Sequence, residues 1–117
     1  MAYVEGFVLA VQKRKLAAYK RLSRRAGKIW KEYGALEYRE CVGDDLKVKW
    51  ALPFPRLVRL KPGETVVFSW IVYKSKAQRK SINAKVMKDP RLTVDIANMP
   101  FDMKRMAYGG FKILVDA

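Results

Sequence analysis

Arg79, Ile82, Asn83 and Val86 stand at i, i+3, i+4 and i+7 spacing, so a helix here puts a guanidinium and a carboxamide on an otherwise apolar face. Polar groups on such a face must be hydrogen-bonded when buried. As a binding pair in a pocket between helix and sheet, Arg79 offers a planar fork to a carboxylate or phosphate and Asn83 anchors beside it. As a structural pair, Arg79 meets Asp102 or Glu5 and Asn83 ties down a loop. Glu5, a carboxylate among apolar neighbours, is a candidate proton acceptor. Its structural alternative is a pair with Arg39 or Arg105. Asp102 and Arg105, three apart, can pair on one helical turn, either lining a pocket mouth or sealing a junction. Ser69 and Trp70 project from opposite faces of a strand, and either can line a ligand site.

The 117 residues include no histidine. That excludes a Ser-His-Asp or Cys-His catalytic set, a His-ligated haem and a His-based zinc site. Met87, Met99, Met103 and Met106 read as adaptable core filler, so neither a metal nor a cofactor is expected. Gly109-Gly110 lacks the spacing and trailing lysine of a phosphate loop. The single cysteine, Cys41, permits no intramolecular disulfide and reads as a buried thiol in a reducing compartment. No apolar run is long enough for a membrane span, and the N-terminal residues read as a strand, not a signal peptide. A cytoplasmic protein is expected.

Net charge is +14, spread along the chain: 14 basic and 6 acidic residues in 1–60, 11 and 5 in 61–117. Such a balance favours anionic partners. Arg14, Arg21, Arg24, Arg25 and Lys28 gather on one side of a helix over roughly Lys13–Tyr33, opposite Leu16, Tyr19, Leu22, Ala26, Ile29, Trp30 and Tyr33. This stripe is either a polyanion-binding surface for RNA or DNA or a solvated charged face. Aromatics for base stacking do not interleave it.

The elements that position these groups follow from periodicity and punctuation. Tyr3–Val11 reads as a first strand, with Tyr3, Glu5, Phe7, Leu9 and Val11 on one face. Gly34 caps the first helix, and Ala35–Val42 is a second strand. Residues 43–64 form a long connection with an extended arm near Val48–Leu52. Thr65–Tyr73 is a third strand, apolar on both faces, so both demand cover. Ser75 caps a second helix with Gln78 three residues on, and Asp89-Pro90 stops it near Lys88. Arg91–Met106 is irregular or short-helical, and Phe111–Val115 is a last strand entered through Gly109-Gly110.

The order β-α-β-β-α-β predicts a single α+β domain of ferredoxin-like topology: a four-stranded antiparallel sheet with both helices on one face. Two such sheets packed face to face would cover the other side as a closed homodimer. The alternative is that the 43–64 connection folds across that face in a monomer.

Phe68-Ser69-Trp70-Ile71-Val72-Tyr73-Lys74-Ser75, Asn83 through Arg91, Met99 through Met106 and Tyr108-Gly109-Gly110-Phe111 are similar to the YbaA-like bacterial family, small cytoplasmic proteins of unknown function. Tyr3 through Val8 and Gly34-Ala35-Leu36 match as well. The resemblance implies the dimeric α/β-barrel superfamily, which includes cofactor-free monooxygenases and haem-degrading enzymes. It implies no activity, since fold does not determine function. Where the family pattern has Asp, Pro and an acidic residue, this chain has Glu5, Gln12 and Lys80. The expected function is therefore a homodimer binding a small aromatic or anionic organic molecule between helices and sheet, without nucleic acid or membrane as the favoured partner. Whether it catalyses a reaction is left open by the sequence. If it does, cofactor-free oxygenation or isomerisation fits best, with Glu5, Asp102 and Arg105 as catalytic candidates and Arg79, Asn83, Ser69 and Trp70 as ligand-binding ones.

Overall fold

The computed structural model describes residues 1–92 and 99–117. The chain forms β1 (Tyr3–Gln12), a 3-10 turn (Lys13–Lys15), α1 (Leu16–Glu32), β2 (Glu37–Val42), a one-turn α2 (Phe54–Leu57), β3 (Glu64–Tyr73), α3 (Lys76–Met87), a second 3-10 turn (Met103–Arg105) and β4 (Ala107–Lys112). The four strands lie in the order β2-β3-β1-β4, every pair antiparallel. This is the expected ferredoxin-like sheet with α1 and α3 on one face.

The caps are those the sequence indicates. Gly34 adopts φ 117°, and the bonds Gly34 N–H to Lys31 O and Ala35 N–H to Trp30 O close α1 in a Schellman turn. Committing Ala35 to that cap delays β2 to Glu37. The Ser75 hydroxyl accepts from the Gln78 backbone N–H at 3.1 Å and starts α3.

Four expectations need correction. Met87 and Met103, read as core filler, are 76% and 49% exposed. No strand forms near Val48–Leu52; the connection instead holds α2, whose Pro53 and Pro55 suit the first turn of a helix. β4 begins at Ala107, not Phe111, and carries Gly109 and Gly110 inside it. Cys41 is exposed, because its side of β2 faces away from the helices. Of the irregular stretch Arg91–Met106, residues 93–98 lie outside the described residues.

On the helix side, Leu9, Val11, Val67, Ile71 and Tyr73 pack against Tyr19, Ile29, Ile82 and Val86. The opposite side divides in two. Val8, Ala10 and Val66 are sealed by Val58, Leu46 and Leu60 of the long connection. The other half stays open: Phe111 is 60% and Phe68 41% exposed, with Val4, Trp70 and Val72 half-buried. The connection thus covers part of the face and leaves an aromatic patch exposed.

Ser23 and Gly27 lie on the buried face of α1, where the Tyr38 ring of β2 comes close. A methyl built on Gly27 would stand 2.7 Å from that ring. Gly27→Ala should therefore cost about 1–3 kcal/mol despite its better helix propensity, read as a lower urea midpoint.

Candidate functional site

Strand alternation points Glu5 to the helix side of β1, opposite Ile71 on one neighbour and Gly110 on the other. The residue is 2% exposed. Its carboxylate collects four donors. The Tyr73 hydroxyl, from the end of β3, bonds Oε1. Arg79 Nε at 3.0 Å, Asn83 Nδ2 at 3.2 Å and the Tyr108 hydroxyl from β4 bond Oε2. From α1, the Trp30 indole N–H reaches Tyr73 Oη at 3.1 Å and Asn83 Oδ1 at 3.0 Å. Among the described residues, no buried side-chain polar atom is left without a partner.

Burial, and then the bond to Glu5, push the Tyr73 phenol well above its ordinary range. Tyr108 is shifted the same way by the same two causes, with Arg79 opposing. Burial works against the Arg79 charge, but its bonds to Tyr108 and Glu5 outweigh that and keep it protonated. The guanidinium also sits over the Tyr3 ring at 5.3 Å and the Tyr108 ring at 5.9 Å from their centroids. The cluster therefore presents one carboxylate, two phenols that hold their protons and one permanent cation. Such a set can orient an anion or pass a proton, with Tyr108, 51% exposed, as the outermost hydroxyl. Among the described residues, no group of three or more Cys, Asp or Glu is placed to hold a metal.

Glu5, Arg79 and Asn83 are thus brought together. Glu5 meets neither Arg39 nor Arg105: Arg39 pairs with Glu37 at 2.7 Å. Arg105 belongs to the opposite end of β1, because its partner Glu64 stands opposite Gln12. Seven residues of strand separate Gln12 from Glu5, roughly 23 Å. There Arg105 grips Glu64 through two bonds of 2.7 Å and meets Asp102 at 3.1 Å and the Arg59 carbonyl at 3.2 Å. Asp102 and Arg105 pair as the spacing indicates, but as a clamp between β3 and the turn before β4, apart from Glu5. Asn83 ties α3 to β1, β3 and α1, and among the described residues it bonds to no loop. Ser69 is buried on the helix side, and its hydroxyl has no hydrogen-bond partner among the described residues. Trp70 is on the other side, donating to Glu37 at 2.9 Å, so it does not join the Arg79 group.

Tyr73, Tyr108, Trp30 and Tyr3 complete the site and were not singled out in the sequence. Tyr3 and Tyr73 had a signal available, since alternation places each on the face of Glu5 or Ser69. Tyr108 had none, because β4 was expected to start after it. Arg14, in the 3-10 turn before α1, and Arg21, Arg24, Arg25 and Lys28 along α1 are all exposed, and none has an acidic partner among the described residues.

Glu5→Gln removes the charge that compensates Arg79. It should lower stability by about 3 kcal/mol in denaturant titration and bring Tyr108 ionisation down in an ultraviolet pH titration. Glu64 is held at about 2, chiefly by its bond to Arg105. Its folded value lies below its unfolded one, so its contribution is complete above about pH 4.3 and is lost as pH falls toward 2. Glu64→Gln should therefore narrow the loss in urea midpoint between about pH 6 and about pH 3.

The comparisons with known proteins agree with this architecture. The putative antibiotic biosynthesis monooxygenase from Nitrosomonas europaea superposes with a TM-score of 0.60 at 13% identity, over 97% of this chain and 90% of that one. A dimeric ferredoxin-like protein from an uncultured marine organism gives 0.58 at 12% identity, over 100% of both chains. At these identities they establish the fold alone. In sequence, the chain is 44% identical over 116 residues to the uncharacterized protein YbaA of Escherichia coli (strain K12), covering 99% of each. Residues 2–103 match the model of a family described as a protein of unknown function (DUF1428), and it is to this family that the chain belongs.

Proposed function

We propose that the chain works as a homodimer that holds a small organic anion or aromatic molecule on the helix side of its sheet. The observation that carries this reading is the Glu5–Arg79–Asn83 cluster beside an open groove along α3. Lys76, Ala77, Arg79, Lys80 and Asn83, all of α3, line that groove, an open surface depression of about 570 Å³. That size suits a small molecule, and its three cations favour a negative charge. Should the bound molecule react, the exposed Tyr108 hydroxyl, bonded to Glu5 and to Arg79, offers a route for proton transfer between the surface and the interior. Cofactor-free isomerisation or oxygenation is then the class to test first. The likeness to a protein described as a putative monooxygenase supports that choice as an analogy of fold.

The open half of the other sheet face supports the dimer. Phe68, Trp70 and Phe111 form an apolar surface with Cys41 beside it. A second copy laid face to face would bury the same patch on both sides. The likeness to a protein described as dimeric points the same way. The lone unpaired thiol fits a reducing, cytoplasmic setting.

Native mass spectrometry of freshly purified protein should show a dimer with a retained small mass, and Phe68→Asp should shift it to monomer. A monodisperse monomer of the unaltered chain at micromolar concentration would overturn the assembly.

One observation favours a second reading. Lys20, Arg21, Arg24, Arg25 and Lys28 are exposed on α1 and form no ion pair with an acidic residue among the described residues. Such a stripe fits a polyanion surface without sequence preference. Titration of labelled RNA across salt decides: no binding at about 50 mM salt removes it.

A further inference from the structure

The Glu5 cluster uses only the inner edge of Arg79. Nε donates to Glu5 at 3.0 Å and Nη2 to the Tyr108 hydroxyl at 2.7 Å. A guanidinium carries five N–H donors in a rigid fork. Nη1 donates to nothing among the described residues, so the outer edge, made by Nη1 and the second hydrogen of Nη2, is unpaired. The Arg79 side chain is 21% exposed.

Beside that edge stands Tyr3. It is 8% exposed, and its hydroxyl has no hydrogen-bond partner among the described residues. No buried atom there is unsatisfied, so this hydroxyl meets solvent. Both groups converge on Gly110 of the edge strand. A carbon built on that glycine would lie 2.6 Å from Tyr3 Oη and 2.8 Å from Arg79 Nη1. Any side chain at 110 would displace both; glycine leaves room for them to point at one place. Lys112, on the same side of β4, stands opposite Tyr3.

We infer that the outer edge of Arg79 and the hydroxyl of Tyr3 form a subsite for the carboxylate of a small organic acid, with Gly110 as its floor. This rests on the reading above that the flank of α3 receives a small molecule, and it names that molecule's head group. One carboxylate oxygen accepts from Arg79 Nη2. The other accepts from Nη1 and from the Tyr3 hydroxyl. The planar fork matches a carboxylate in shape as well as charge. Glu5 already offsets the Arg79 charge. The balancing cations for the incoming anion are then Lys76, Lys80 and Lys112, and the body of the acid extends along the groove. Tyr3 and Arg79 are offered here as binding residues, with no step of chemistry attached.

The test is a titration of the purified full chain with benzoate, benzamide and inorganic phosphate, followed by calorimetry and by the NMR signals of the Tyr3 and Arg79 side chains. Benzoate should bind and shift both signals. Benzamide should bind at least about tenfold more weakly, because the fork then faces a group without charge. Phosphate should also be the weaker ligand. Tyr3→Phe loses no internal hydrogen bond, so its thermal midpoint should match the parent while benzoate affinity falls about tenfold. Arg79→Lys keeps the charge, loses the fork and should weaken benzoate at least as much. Unchanged affinity in Tyr3→Phe, phosphate preferred to benzoate, or no benzoate binding at all would overturn the subsite. If benzamide matches benzoate, the subsite falls while the small-molecule reading stands. That wider reading fails separately, when native mass spectra and a panel of neutral aromatics both show nothing bound.

Discussion

A carboxylate removed from water in the middle of a sheet costs several kcal/mol unless donors replace its hydration. Glu5 imposes that condition on this protein. Its donors come from β3, α3 and β4, and the indole of α1 braces two of them. Every regular element on the helix side except β2 therefore meets at one carboxylate. Apolar packing alone would tolerate a small slide of α3 over the sheet, because dispersion contacts are non-directional. Four directed bonds to one group do not, and they set where Arg79 stands relative to β4.

The two ends of β1 use opposite solutions to the same problem. At the Glu5 end, the charge is buried and its partner Arg79 reaches solvent at its outer edge. At the Gln12 end, Glu64 and Arg105 are both nearly buried, matched fork to carboxylate, with Asp102 and a carbonyl taking two further donors. The second arrangement engages all three nitrogens of its arginine. The first leaves donors on the outer edge of Arg79 unspent beside the groove along α3.

Much of the frame could be read from the residues. The period-2 pattern of Tyr3–Val11 grouped Glu5 with Tyr3, Phe7, Leu9 and Val11 on one face, and the i, i+3, i+4, i+7 pattern put Arg79 and Asn83 together on one face of α3 with Ile82 and Val86. Both placements hold. The turn chemistry of Gly34 and Ser75 marked helix ends because φ and capping hydroxyls are local properties. β4 was misplaced for a physical reason. A Gly-Gly pair reads locally as a strand entrance, whereas here glycine is demanded from across the sheet by Tyr3 and Arg79. Gly27 escaped notice in the same way, since the Tyr38 ring that needs the space belongs to the next strand, β2.

The sequence by itself determined the element order, the topology, the apolar face of the first helix and the absence of histidine chemistry. All of these follow from periodicity, handedness and composition, which act over a few residues. The tertiary structure alone decided that Glu5 pairs with Arg79 and not with Arg39 or Arg105. It also decided that the long connection seals half of the outer face and leaves half open. Which charge meets which depends on strand register and helix seating between segments some seventy residues apart, and one residue of slip would point Glu5 to the other face.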